Sequence, residues 1–224
     1  MTKNMILVFG ASGHSKVVID LIEKESKYKI FGLIDIEKNF GKDVLGYKVI
    51  GNDNDLTKII TRNYIKGGVL AIGDNWKRSQ LREKILKDIP NFKFYSCIHP
   101  EAYIAKDVEI GDGTVIMAGA IINSSSRISN HCILNTNSSL DHDSYMGDFS
   151  SLGPNSTTGG NVRIGSFSAI SLGANVLNDI EIGAHSIVGA GSLILNNVSD
   201  FSIVYGVPAK FISTREKGEK YLKS

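Results

Sequence analysis

The sequence predicts a small α/β domain built on a parallel sheet, followed by a three-sided parallel β-helix. Three observations carry that reading. Residues 1–97 alternate short apolar runs with amphipathic stretches. From residue 104 to residue 194 an aliphatic side chain recurs at almost every sixth position. A glycine-bearing turn, Gly10-Ala11-Ser12-Gly13-His14-Ser15-Lys16, separates the first apolar run from the first amphipathic one.

In the first half, Met5-Ile6-Leu7-Val8-Phe9 reads as a buried strand. His14 to Glu25 reads as a helix with Val17, Val18, Leu21 and Ile22 on one face. Ile30 to Ile34 is a second strand and Val69 to Ile72 a third, followed by a helix from Asn75 to Lys87. Asp53 to Thr61 is one more short helix. This β-α-β…β-α order implies a small parallel, Rossmann-like sheet with right-handed crossovers. In the turn, two glycines let backbone N–H groups approach a phosphate, and the helix starting near His14 offers its positive end. The turn is not a full GxGxxG, so a nicotinamide dinucleotide is not expected.

The second half changes period. The residues at the sixfold positions are Ile104, Ile110, Ile116, Ile122, Ile128, Leu134, Leu140, Met146, Leu152, Thr158, Ile164, Ile170, Val176, Ile182, Val188 and Ile194. Small residues such as Thr114, Ser126, Cys132, Ser138 and Ser144 follow four places later. Neither a helix nor a simple alternating strand produces a period of six. A prism does, with one short strand per side and its aliphatic residue turned to the axis. Each such burial contributes roughly 1.5–3 kcal/mol. Thr158 alone is polar, so it is expected to hydrogen-bond back to a turn, because an unpaired buried hydroxyl costs about 1–3 kcal/mol. Beyond Ile194, Val207-Pro208-Ala209-Lys210 begins a capping segment, and Thr214 to Ser224 reads as a short exposed helix or frayed tail.

Composition narrows the function. Twenty-five basic against 23 acidic residues leave a net charge of +2, which gives no footprint for nucleic acid. The apolar run Met5 to Phe9 is too short to span a membrane, so a cytoplasmic protein without membrane insertion is expected. Cys97 and Cys132, 35 positions apart, imply neither a disulfide framework nor a zinc site, and read as buried reduced thiols. His131, His142 and His185, spaced 11 and 43 apart, do not offer the converging histidines of a β-helix metal enzyme, so no metal is expected. A non-catalytic scaffold is the alternative class, but it has no use for the glycine turn.

The hexapeptide register ending in Gly206-Val207-Pro208-Ala209-Lys210, the turn Gly10 to Lys16, Leu33-Ile34-Asp35, Ala71-Ile72-Gly73 and Asn135-Thr136…Asp141-His142-Asp143 together carry a resemblance. From about residue 4 to 212 the chain resembles the bacterial sugar acetyltransferases of the left-handed β-helix superfamily. That family acetylates nucleotide-linked 4-amino-4,6-dideoxy sugars and includes sialic acid O-acetyltransferases. The resemblance implies an acetyl-CoA-dependent N-acetyltransferase of surface-glycan biosynthesis, with sialic acid O-acetylation as the alternative. Its substrate is a UDP-linked sugar first, with dTDP or GDP possible. It further implies a nucleotide-sugar domain (1–97), an acetyltransferase domain (98–212) and a tail (213–224).

By position, the resemblance implies that Ser12, Gly13 and His14 contact the diphosphate or sugar, that Asp35 and Ile36 hold the nucleoside, that Gly73 closes the pocket and that Asn135 orients the acceptor. His142 matches the family's general base, a role that suits an imidazole near neutral pH. Asp143 orients it, where the family more often has the longer glutamate. The resemblance further implies that Ser151 (frequently histidine in relatives), Leu172 and Ala190 contact acetyl-CoA and that Lys210 reaches a CoA phosphate. In that family the cofactor groove lies between neighbouring prisms of a trimer, so a homotrimer is expected. His99, His131 and His185 read as surface histidines.

Overall fold

The structure, a computed structural model, describes residues 3–222. Its first half runs β1 (Asn4–Phe9), α1 (Gly13–Glu25), β2 (Tyr28–Ile34), β3 (Asp43–Val44), β4 (Tyr47–Gly51), α2 (Leu56–Asn63), β5 (Gly67–Leu70), α3 (Asn75–Asp88) and β6 (Lys93–Phe94). The sheet order is β3-β4-β2-β1-β5-β6, parallel apart from the β3–β4 hairpin. From β1 the chain builds outward through β2 and β4, then returns to place β5 and β6 on the other side. The reversal leaves a crevice at the C-terminal ends of β1 and β5, where open α/β sheets bind ligands.

The sequence reading missed β3, β4 and β6. Two of these are two residues long, and the hairpin turns on Leu45 and Gly46, at φ 53° and 84°, with no long apolar run to reveal it. On α1 the buried face is Val18, Ile19, Leu21 and Ile22, whereas Val17 is 42% exposed, a rotation of the stripe by one position.

From β7 (Cys97–Ile98) to β23 (Leu193–Ile194), two-residue strands wind around three faces as a left-handed parallel β-helix. Strands stack on those one coil away, as in Val115↔Ile133, Ile121↔Ser139 and Arg127↔Tyr145. The ladder positions fill the axis, with Ile116, Leu134, Leu140, Met146, Ile164 and Val188 fully buried. The capping segment after the ladder is a β-hairpin. β24 (Ser202–Gly206) extends the first face beside β22 (Ile187–Val188), and β25 (Ala209–Thr214) runs back antiparallel across a cis Val207–Pro208 bond. No helix among the described residues is long and apolar enough to cross a membrane.

One edge of the prism is a column of rings. His131, Phe149, Phe167, His185 and Phe201 all adopt left-handed backbone, and successive rings stack at 4.6–5.3 Å within 10° of parallel. Left-handed backbone is unusual for bulky residues, and the stacking offsets its cost. His131 is buried and His185 half-buried in this column, and His99 is buried, its Nδ1 accepting from the Glu101 amide at 3.1 Å. None of the three is a surface histidine. The 18-residue spacing of the four rings from His131 to His185 was the signal available in the sequence.

Helix α3 fastens the first half to this column. Arg78 is 1% exposed, and its five N–H groups meet His131 O, Ile72 O, Gly73 O, Phe149 O and Asn75 Oδ1 at 2.8–3.2 Å. Burial draws its pKa down from the ordinary value, while five acceptors compensate the lost water. Asn75 reaches Ser151 Oγ and the carbonyls of Phe167 and Ser168. Cys97 and Cys132 are free and buried, and burial pushes the Cys132 thiol up to about 11, so neither is a ready nucleophile.

Residues 215–222 form neither a helix nor a free end. Arg215 binds the carbonyls of His185 and Glu219, Lys217 lies 5.0 Å from the centre of the Trp76 ring, and Tyr221 Oη stands 3.5 Å from Gly73 O. The charged residues of this stretch therefore fold back as a strap over the junction of the two halves. Lys223 and Ser224 lie outside the described residues.

Candidate active site

A cavity of about 680 Å³ opens at the C-terminal ends of β1, β2 and β5. It brings together Ser12, Gly13, His14, Asp35, Ile36 and Gly73, all anticipated from the sequence, and adds Lys77 and Leu222. Gly10 stands at φ 119°, and a side chain there would meet Ala71 O at 2.7 Å, so this glycine lets the turn pass close to β5. Around Gly13 there is open space. Helix α1 has no side-chain cap at Ser12 and no acidic residue in its first turn, which leaves its amides available to an anion. Asp35 accepts from the Ile36 amide at 2.7 Å and from Asn39 at 3.2 Å, which fixes its carboxylate at the rim.

A second cavity of about 360 Å³ lies where the first face of the prism turns into the second. Asn135, Ser151, Leu172 and Ala190 line it with Tyr221 and Leu222 of the strap. The two cavities share His14, Gly73 and Leu222. Burial, and then the Arg78 charge, hold His14 down at about 4, and its Nε2 is enclosed without a partner. At neutral pH His14 therefore offers a neutral ring to a ligand, and no positive charge to a diphosphate. Tyr221, Leu222 and Lys77 escaped the sequence reading because only the folded strap and the first turn of α3 place them there.

His142 lies elsewhere. It follows β14 (Ser139–Leu140) on the second face, whereas Asn135 follows β13 (Ile133–Leu134) on the first, so the two stand on different edges of the prism. Its ring is exposed, and Nδ1 is 2.7 Å from Asp143 Oδ2. Aspartate suffices because Asp143 takes a left-handed backbone, φ 58°, that turns its short carboxylate back toward the ring. The Asp143 hydrogen bond, and then the charge of Asp141, raise the His142 pKa above the usual imidazole value. With Nδ1–H donated to Asp143, Nε2 keeps a lone pair on an exposed ring, the state a general base needs. Lys210 sits on the exposed β25, apart from both cavities. Among the described residues no three His, Cys, Asp or Glu side chains gather as metal ligands.

A family model described as the PglD N-terminal domain matches residues 5–85. The chain is 36% identical over 119 residues to the UDP-N-acetylbacillosamine N-acetyltransferase of Bacillus subtilis (strain 168), covering 52% of this chain. It thus spans about half the length of that curated relative. The acetyltransferase domain of PglB from Neisseria gonorrhoeae FA1090, solved also with acetyl coenzyme A, has a TM-score of 0.85 at 30% identity. That likeness covers 94% of this chain and 100% of the other. PerB from Caulobacter crescentus, solved with CoA and GDP-perosamine, has a TM-score of 0.86 at 32% identity, over 95% of this chain and 99% of that one. With that identity along nearly the whole of the Caulobacter protein and the same two-part fold, the chain belongs to the hexapeptide-repeat family of bacterial sugar acetyltransferases.

Proposed function

We propose that the protein transfers an acetyl group from acetyl-CoA to the 4-amino group of a nucleotide-linked 4-amino-4,6-dideoxy sugar. The observation that carries this is the exposed imidazole of His142, its Nδ1 held by Asp143 at 2.7 Å, on a chain that also holds a phosphate-ready turn. Similarity to enzymes named for bacillosamine and perosamine N-acetylation favours an amine acceptor over the hydroxyl of a sialic acid. In the reaction the sugar nitrogen attacks the thioester carbonyl as His142 takes its proton. The C–N bond forms, the C–S bond breaks, and the proton passes to the departing thiolate.

In this reading the first cavity takes the nucleotide diphosphate, with Ser12 and Gly13 on the phosphates, Asp35 and Ile36 on the nucleoside and Gly73 at the far wall. Ser151, Leu172 and Ala190 take the pantetheine arm of CoA, and Lys210 meets a CoA phosphate from the hairpin. Asn135 orients the acceptor. Because His142 and these cavities occupy different edges of one prism, a complete site needs a neighbouring copy. Tyr103 and Ile121 on the second face, and Leu172, Leu177 and Leu195 at its borders, are exposed apolar side chains of the kind that association covers. Light scattering is expected to return three times the 24.3 kDa chain mass. A fully active monomer contradicts the shared site.

A thermal-shift screen of UDP-, dTDP- and GDP-sugars identifies the nucleotide, since stabilisation follows affinity. Asp35→Ala is expected to raise KM for that sugar nucleotide about ten- to a hundredfold, the equivalent of a lost hydrogen bond to a charged group. KM for acetyl-CoA stays near wild type. Equal weakening toward both substrates counts against a nucleoside-holding role.

A further inference from the structure

Thr158 is the one polar side chain in the aliphatic ladder, and it is 2% exposed at the end of β17 (Thr157–Thr158). Elsewhere in the coil, the residue after a strand gives its N–H to the carbonyl of the ladder residue one coil on. Asn123 donates to Leu140 at 2.9 Å, Asn135 to Leu152 at 3.0 Å and Gly159 to Val176 at 2.8 Å. At Asp141 the pattern changes, and its N–H goes to Thr158 Oγ1 at 3.1 Å. Among the described residues, β14 and β17 keep a single register pair, Ser139↔Thr157, where neighbouring strands keep two.

Asp141 immediately precedes the proposed base. Its Oδ1 accepts from the His142 amide at 2.8 Å and from Asn123 Nδ2 at 2.7 Å. The turn is held further on by Asp143 N to Ser124 O and by Asn161 N to His142 O. Two residues beyond Thr158, a side chain on Gly160 would stand 2.5 Å from Cε1 and 2.6 Å from Nε2 of His142, so the imidazole rests directly over that glycine. A valine in place of Thr158 suits an aliphatic core better and removes the acceptor that the Asp141 amide uses, leaving it the ordinary ladder carbonyl.

We infer that Thr158 is a positioning residue for acetyl transfer: its hydroxyl anchors the Asp141 amide and sets the Asp141-His142-Asp143 turn, with Gly160 as the seat of the ring. The inference rests on His142 as the base, and the test separates the two. Full-length Thr158→Val, Thr158→Ser and His142→Ala chains are compared by melting temperature, steady-state kinetics and an NMR titration of the ring resonance that His142→Ala removes.

Thr158→Val is expected to hold or raise the melting temperature, leave KM for acetyl-CoA unchanged and lower kcat about ten- to a hundredfold through misplacement of the base. Its ring titrates at lower pH than wild type, because the contact with Asp143 loosens while the charges of Asp141 and Asp179 stay nearby. Thr158→Ser melts lower, for want of a methyl, yet keeps kcat within about threefold because the hydroxyl remains. A purely structural threonine predicts the opposite order. The inference is overturned by a Thr158→Val chain that fails to fold, by one with wild-type kcat and ring titration, or by a slow Thr158→Ser chain. If His142→Ala stays active, the base assignment falls, and the ring titration still decides whether Thr158 sets the turn.

Discussion

His142→Ala is expected to lower kcat by about a hundred- to ten-thousandfold, the usual contribution of a general base, while the protein folds and binds acetyl-CoA normally. The ring is exposed and outside the aliphatic ladder, so its removal opens no cavity in the core. The pH profile carries the sharper signature. In the proposed role His142 works unprotonated, so the wild-type rate is expected to fall as pH drops through its pKa. The Asp143 hydrogen bond places that limb above the ordinary imidazole value. In Asp143→Asn the limb moves to lower pH and the plateau rate declines less than in His142→Ala. His14, held at about 4, has shed its proton throughout this range and contributes no limb of its own. Thiol release from acetyl-CoA, followed across pH for the three proteins with circular dichroism as the folding control, checks each point. An alanine variant with more than about half the wild-type rate refutes the assignment, since so small a loss lies far outside general-base effects.

Arg78→Met is expected to be the most destabilising single change at the junction of the two halves. Methionine keeps much of the volume, but it strands the carbonyls of His131 and Phe149 inside the protein and takes a donor from those of Ile72 and Gly73. Buried acceptors without donors cost about 1–3 kcal/mol each, and with partial rescue by water the total is about 3–5 kcal/mol. For a chain of this size that is about a 10 °C fall in melting temperature. Ile72 and Gly73 also wall the first cavity, so KM for the sugar nucleotide rises as well. An unchanged melting temperature means that the guanidinium does not hold the junction.

The two halves of this molecule were legible to different degrees. The β-helix was plain because one geometric rule governs it, and each coil repeats the evidence for the last. The crevice of the first half was also readable, since the glycine turn, Asp35 and Gly73 each follow an apolar strand and must fall at the same end of the sheet. What escaped were features made by contact across long sequence separations. Arg78 and Asn75 look like ordinary polar residues of a helix, and only the docked column of rings shows why they are buried. Charge misled at residues 215–222, which read as an exposed helix or frayed tail, whereas Arg215 is buried against carbonyls and the exposed Lys217 lies over an indole ring. Thr158 was visible as an exception, and its hydrogen bond to a turn was anticipated. Its link to His142 was hidden, because the two lie on successive coils, 16 residues apart.

The placement of Trp76 has a practical consequence. It is the single tryptophan of the chain, set between the Phe167 and His185 rings on one side and Lys217 on the other, with Gly218 of the strap against its indole nitrogen. Four residues further along the strap, Leu222 lines both cavities. Indole emission responds to nearby charge and to water, and here both are governed by the seating of the same strap. The molecule thus carries its own optical probe against the strap that lines its cavities, and a ligand that shifts the strap is expected to change the emission of the unlabelled protein.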